Sequence, residues 1–174
     1  KHYKCLLAKP ADIYMDNVAT LVGCQRLIID IELLTGSVSP RNILTKIGVN
    51  HTVQHSTVIQ QLITICQNVN PDLLPDASKH LLGNICRDIY RYLDNACRNN
   101  TLEETENLKS VPCLLIDDTF VRPNQTAFTI PVKCSPKLYG LDRIQWKINE
   151  SFLKSIGVKK TFHEEDVIPV LKEM

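Results

Sequence analysis

One twenty-residue segment of this chain recurs, with eight identities. Leu44 to Ile63 and Leu153 to Lys172 align without a gap at an offset of 109 residues. The identities are Leu44/Leu153, Ile47/Ile156, Gly48/Gly157, Val49/Val158, Thr52/Thr161, Val58/Val167, Ile59/Ile168 and Leu62/Leu171. The pattern predicts one local structure in both places. An amphipathic helix ends at Ile47 or Ile156, and the following glycine takes the left-handed conformation that closes a helix. The valine then packs back on the last turn. After a short link a new helix starts, near Thr52 to Ser56 in one copy and near Thr161 in the other. Thr161 and Glu164 have capping-box spacing. Any two helix–glycine–helix units share the glycine and a few apolar positions. Here Thr52/Thr161 and the spacing to the next helix match as well, which favours true duplication.

The offset is longer than the roughly 20–50 residues of a solenoid repeat. The expectation is therefore a recurring junction inside a larger unit. The chain reads as a piece of a larger, soluble, intracellular, repeat-built protein, its second copy opening a further module. That reading predicts that Val158, Val167, Ile168 and Leu171 are less buried than Val49, Val58, Ile59 and Leu62.

The composition fits one globular domain: 174 residues, 44% hydrophobic and 22% charged. A formal net charge of +1 supplies no global field for nucleic acid or anionic lipid. No apolar run approaches the roughly 18 residues of a membrane span. Seven scattered cysteines, an odd number, argue against a disulfide scaffold and for a reducing compartment. No signal-peptide pattern precedes them. The glycosylation triplets at Asn50, Asn99, Asn124 and Asn149 are read as silent, and the localisation as cytoplasmic.

The predicted fold class is α+β, mainly α, within one fragment of residues 1–174. Residues 1–110 read as helical, 111–132 as a small antiparallel β-hairpin or meander, and 133–174 as helical and truncated at its end. Helix is expected from Pro10 and Asp12 to Leu34, again from Ser39-Pro40 into the first junction, and from Leu138 to Ile156. The longest clear helix spans Asp76 to Cys97, with Leu81, Leu82, Ile85, Ile89, Leu93 and Ala96 at spacings of three and four. Tyr90 and Tyr92 flank that face, and Arg87, Arg91 and Arg98 lie off it as a solvated surface. Strands are expected at Val111–Ile116, Thr119–Val121 and Thr126–Val132, with turns at Asp117-Asp118 and Arg122–Gln125. Trp146 is expected opposite the buried face of its helix.

Candidate chemistry is sparse. His51 and His55 are four apart, but the glutamate that a metalloprotease helix sets beside its first histidine is missing. Asp117-Asp118 has no third ligand nearby and suits a turn, where Asp bonds local backbone. Cys113 has no histidine placed to pair with it and reads as a buried structural thiol. There is no Cys-x-x-Cys, glycine-rich phosphate loop or nucleophile elbow. No catalytic, cofactor-binding or metal-binding residue is assigned, no cofactor is expected, and the chain reads as a non-enzyme.

Three features, in this order, carry a resemblance. They are Ile47-Gly48-Val49 with Val58-Ile59-Gln60-Gln61-Leu62; Ile89-Tyr90-Arg91-Tyr92-Leu93 before a polar loop; and Val111-Pro112-Cys113-Leu114-Leu115-Ile116, Phe120-Val121, Pro123, Ala127-Phe128 and Leu138-Tyr139 leading into Ile156-Gly157-Val158. Over about residues 44–174 the chain resembles the repeated regions of the sacsin family of giant co-chaperones. Those repeats begin with a nucleotide-binding module similar to the ninety-kilodalton heat-shock chaperone. Its Asp-Gly-x-Gly pattern is missing here, so no ATP-binding residue is carried over. The resemblance implies a structural or client-handling segment of a co-chaperone. Its implied partners are neighbouring repeat modules, the heat-shock chaperone machinery, client proteins and the proteasome, with no nucleic acid. The alternative is a nucleic-acid-binding helical module of winged-helix type, which needs a basic face that the charge balance does not supply.

Overall fold

A computed structural model of the chain describes residues 13–15, 19–23, 27–29, 45–102, 105–129, 138–141, 149–163, 165, 166 and 168. It divides into two units, Lys1–Gln61 and Leu62–Met174.

In the first unit, β1 (Ile13–Met15) pairs in parallel with β2 (Leu27–Ile29), in the register Tyr14↔Ile28. The short helix α1 (Ala19–Val22) lies between them in sequence, with Val22 buried. On its other side Tyr14 bridges Asn50, again in parallel. The helix expected from Pro10 and Asp12 to Leu34 is thus corrected at its described residues, which are strand at 13–15, helix at 19–22 and strand at 27–29; the rest of that range lies outside the described residues. A short apolar run such as Leu27-Ile28-Ile29 carries no period that separates a buried strand from a buried helix. Only a pairing partner far along the chain decides between them. The helix expected from Ser39-Pro40 lies outside the described residues up to Leu44; Thr45 and Lys46 are helical.

Helix α2 (His55–Asn68) begins in the first unit and ends in the second. Its buried positions Val58, Ile59, Leu62 and Ile65 recur at helical spacing. A 3₁₀ turn at Pro71–Leu73 follows, its start capped by the Asn70 side chain, which accepts from the Asp72 N–H.

Helix α3 (Asp76–Arg98) is the spine of the second unit. Its buried residues are Leu82, Cys86, Ile89, Tyr90, Leu93, Asp94 and Ala96. Leu81, expected inside, is 60% exposed, and Ile85 is half-buried. The stripe passes through Cys86 and Tyr90 instead, and Leu81 stands about 100° round the helix from Leu82. Asn100 at φ 53° closes α3 in the left-handed region. The Thr101 N–H donates to Ala96 C=O and the Asn100 N–H to Cys97 C=O, the paired bonds that end helices this way.

Beyond the one-turn helix α4 (Glu106–Lys109), β3 (Leu114–Ile116) and β4 (Thr119–Val121) form the expected antiparallel hairpin. Asp117 and Asp118 have φ 45° and 62°, the double left-handed turn that matches strand twist. Lys79 of α3 pairs with Asp118 at 3.2 Å.

The third strand does not extend that hairpin. β5 (Thr126–Thr129) pairs in parallel with β6 (Tyr139–Gly140) on one side and β7 (Lys159–Thr161) on the other. A meander strand alternates buried and exposed residues; Thr126 and Ala127 are both at 0% exposure, as a central parallel strand requires. The 3₁₀ turn Pro123–Gln125 redirects the chain, fixed by Arg122 N–H to Gln125 Oε1 and by Thr126 Oγ1 to Pro123 C=O.

Helix α5 (Glu150–Ser155) precedes β7. The helix expected to begin at Leu138 is corrected at its start, where Tyr139 and Gly140 are β6; Trp146 and residues 142–148 lie outside the described residues. The fold is α+β, mainly α. Among the described residues no helix is long and apolar enough to cross a membrane.

Candidate functional site

Over its described residues the duplicated segment takes the same backbone path in both copies. Gly48 has φ 92° and Gly157 φ 94°. The Gly48 N–H donates to Thr45 C=O at 3.0 Å, and the Gly157 N–H to Lys154 C=O at 3.1 Å, the same bond 109 residues later. Val158 N–H donates to Leu153 C=O, completing the closure of α5, and both residues are buried. Val49 is buried in the first copy. One residue further, each copy enters a parallel sheet: Asn50 beside Tyr14, and Lys159 beside Ala127. Val53 and Phe162 are buried at matching positions. The next helix opens with Thr57 N–H to Gln54 C=O at 3.1 Å and Asp166 N–H to His163 C=O at 3.0 Å, again in register.

The likeness extends upstream of the twenty aligned residues. In both copies the central strand comes first in sequence, its first neighbour second, and the strand position after Gly-Val third. Tyr14 sits between Ile28 and Asn50, as Ala127 sits between Gly140 and Lys159. The short link expected between glycine and helix thus contains a sheet position in each copy. The capping box expected at Thr161 and Glu164 is also corrected. Thr161 belongs to β7, and Asp166 caps instead, accepting from His163 N–H at 3.0 Å. Lys159 also donates to Asp166, and this bond, followed by the His163 N–H, holds the carboxyl below its ordinary value.

Among the described aligned positions two isoleucine pairs differ strongly in exposure. Ile47 is 56% exposed while Ile156 is fully buried, and Ile59 is 4% exposed while Ile168 is 48% exposed. Val158, expected to be less buried than Val49, is part of the core as Val49 is. Val167 and Leu171 lie outside the described residues.

The second junction is anchored to α3 by polar groups within the second unit. Asp94, nearly inaccessible, accepts the Phe152 N–H at 2.9 Å and pairs with Arg98 Nε at 2.7 Å. Phe152 is the third residue of α5, where a capping side chain normally bonds. Asn149, at the cap position, makes no such bond. Tyr90 stacks on Phe152, centroids 6.0 Å apart. Its hydroxyl donates to Cys113 C=O at 2.8 Å and accepts from Leu115 N–H at 3.0 Å. Those two groups face the side of β3 away from β4, so one hydroxyl closes a strand edge that otherwise invites pairing. Neither role was read from the sequence, where Arg98 was expected on a solvated face; a carboxylate beside the apolar stripe with Arg98 four residues on was the available signal for Asp94.

The residues considered for chemistry are dispersed. His51 is exposed and His55 half-buried at the start of α2. Asp117 and Asp118 form the hairpin turn, with Asp118 held by Lys79. Arg87 bonds Asn84 and Arg91 pairs with Asp88 on the face of α3 away from its buried stripe. Among the described residues no three His, Cys, Asp or Glu are arranged to hold a metal ion. Cys66, Cys86 and Cys113 lie near the Tyr90 hydroxyl. Burial pushes Cys86 and Cys113 up to about 12 and Cys66 higher still. Protonated at neutral pH, such thiols are poor nucleophiles and act as core. Burial likewise raises Tyr90.

Comparison with family models, with curated proteins and with solved structures finds no match to this chain.

Proposed function

We propose that the chain is a non-catalytic structural and protein-interaction segment of a sacsin-like co-chaperone, acting in the cytoplasm. The observation that supports this reading is the junction repeated in one geometry, Gly48 at φ 92° and Gly157 at φ 94°, each leading into a sheet position and then a helix. A chain built from recurring junctions displays modules in a fixed order, and that suits a scaffold. The partners on this reading are neighbouring repeat modules, heat-shock chaperone machinery, client proteins and the proteasome.

The test is suppression of client aggregation, and client refolding with the seventy-kilodalton chaperone, against an inert protein of equal size. Dose-dependent suppression is the expected result. No difference from the inert protein, or reproducible ATP turnover by the purified chain, overturns the reading. A salt-dependent gel shift at low protein concentration replaces it with a nucleic-acid module.

A further inference from the structure

Helix α3 carries two apolar stripes, and the fold buries one of them. Leu82, Cys86, Ile89 and Leu93 are inside. The other stripe runs through Ala77, Leu81 and Ile85, which share a helix face because they are four residues apart. Ala77 is exposed, Leu81 is 60% exposed and Ile85 is half-buried. Leu73, just ahead of the helix, is 80% exposed. One exposed leucine is ordinary on a protein surface, whereas a row of apolar residues on one helix face is suited to a partner.

The charges beside this stripe point to the occupant. Arg87 stands about 120° and Asp76 about 140° round the helix from Leu81, both in the sense away from the buried side. Both are exposed. Arg87 donates to Asn84 Oδ1 at 2.9 Å, and its guanidinium keeps further donors. Asp76 has no cationic partner among the described residues. Consider a second α3 lying antiparallel across the stripe, on a two-fold axis at Leu81. Leu81 then meets Leu81 of the second copy, and Ala77 meets Ile85, since the two lie equally far to either side. Such an axis keeps the same flank of both helices on one side. Asp76, five residues before Leu81, then faces Arg87 of the second copy, six residues after it, and the pair forms twice. A parallel pairing sets Asp76 against Asp76 and Arg87 against Arg87, which repel.

We propose that the Ala77–Leu81–Ile85 face of α3 is a self-association surface, and that its occupant is the same face of a second copy of this chain, antiparallel on a two-fold axis. The contact from Asp76 to Arg87 covers about 18 Å of helix. That is short of a standard interface, so the dimer is weak, with a dissociation constant on the order of 0.1 mM. The inference rests on α3 alone and is independent of the chaperone reading.

The test is sedimentation equilibrium of the whole chain from about 5 μM to 1 mM, which brackets that affinity. A monomer–dimer equilibrium is the expected result. Leu81→Asp should weaken it by about 10-fold or more. The same change should leave the melting temperature of dilute protein nearly unchanged, because the side chain already faces water. Asp76→Lys and Arg87→Glu should each weaken the dimer several-fold by setting like charges together, and the two combined should restore it to within about threefold. The loss of a favourable charge at the helix start in Asp76→Lys does not produce such a rescue. A chain that stays monomeric at about 1 mM overturns the proposal. So does a dimer that survives Leu81→Asp. A dimer lost in Leu81→Asp and not rescued by the charge exchange overturns the antiparallel arrangement.

Discussion

Asp94, four residues from the end of one helix, caps another: its carboxylate accepts the Phe152 N–H at 2.9 Å and so starts α5 on α3. The same carboxylate holds Arg98 one turn along its own helix. The helix that runs into the second junction is thereby placed by a buried carboxylate 58 residues upstream of Phe152. Local sequence alone does not set it.

Asp94→Ala should cost about 2–3 kcal/mol, since it removes a cap and leaves a buried N–H without its acceptor. Asp94→Asn keeps an acceptor and should cost clearly less. Urea titrations measure both, and hydrogen exchange at Phe152 and Leu153 should accelerate in the alanine variant before global unfolding. Equal stability of the alanine variant and the parent would contradict the capping role.

Tyr90→Phe keeps the stack on Phe152 and deletes only the hydroxyl. Cys113 C=O and Leu115 N–H then lose their common partner, at an expected cost of about 2–4 kcal/mol. The opened edge of β3 should also raise aggregation on mild heating, read by light scattering. A stable, non-aggregating variant would show that the edge is closed by something else.

Gly157→Ala should cost roughly 1–2 kcal/mol from backbone strain alone, because a Cβ there meets nothing within 4 Å. Gly157→Asn should cost less, since Asn tolerates this region. Gly23→Ala should cost more than either. Its φ is also positive, and the new Cβ would lie 2.0 Å from Gln61 Nε2, a side chain that is itself buried. Thermal melts of the three variants give the order directly.

The buried thiols make an alkaline prediction. In the unfolded chain a thiol ionises near its ordinary value of 9.0, whereas folded Cys86 and Cys113 hold their protons to about 12. Above pH 9 the unfolded state therefore binds fewer protons than the native state, so stability falls as pH rises. It is fully retained below pH 9 and lost progressively toward pH 12. Urea midpoints across that range should decline, and the slope should flatten in Cys86→Ala. Native protein at pH 7.5 should leave Cys86 and Cys113 unlabelled by a thiol reagent.

Much of the local structure was legible in the chain. A glycine between Ile and Val at the end of an apolar period announces a left-handed helix stop, and both copies form it. Asp117-Asp118 between two apolar runs announces a tight hairpin turn. Asp76 to Cys97 announces a helix, which runs one residue further, although Leu81 was placed inside and lies outside. The apolar positions there admit two neighbouring stripes, and packing of Cys86, Tyr90 and Asp94 selected between them.

The sequence alone determined where the backbone must bend, because a positive φ and a helical period are energies of a few adjacent residues. Tertiary structure alone decided what those bends connect. It turned residues 13–15 and 27–29 into parallel strands and took β5 away from the hairpin. It also brought Asp94 to Phe152. Each of these rests on a hydrogen-bond partner supplied from far along the chain, and no local propensity encodes that. The repeat shows both sides at once. The matching glycines follow from sequence, while the buried Ile59 and the exposed Ile168 have the same residue type and opposite surroundings.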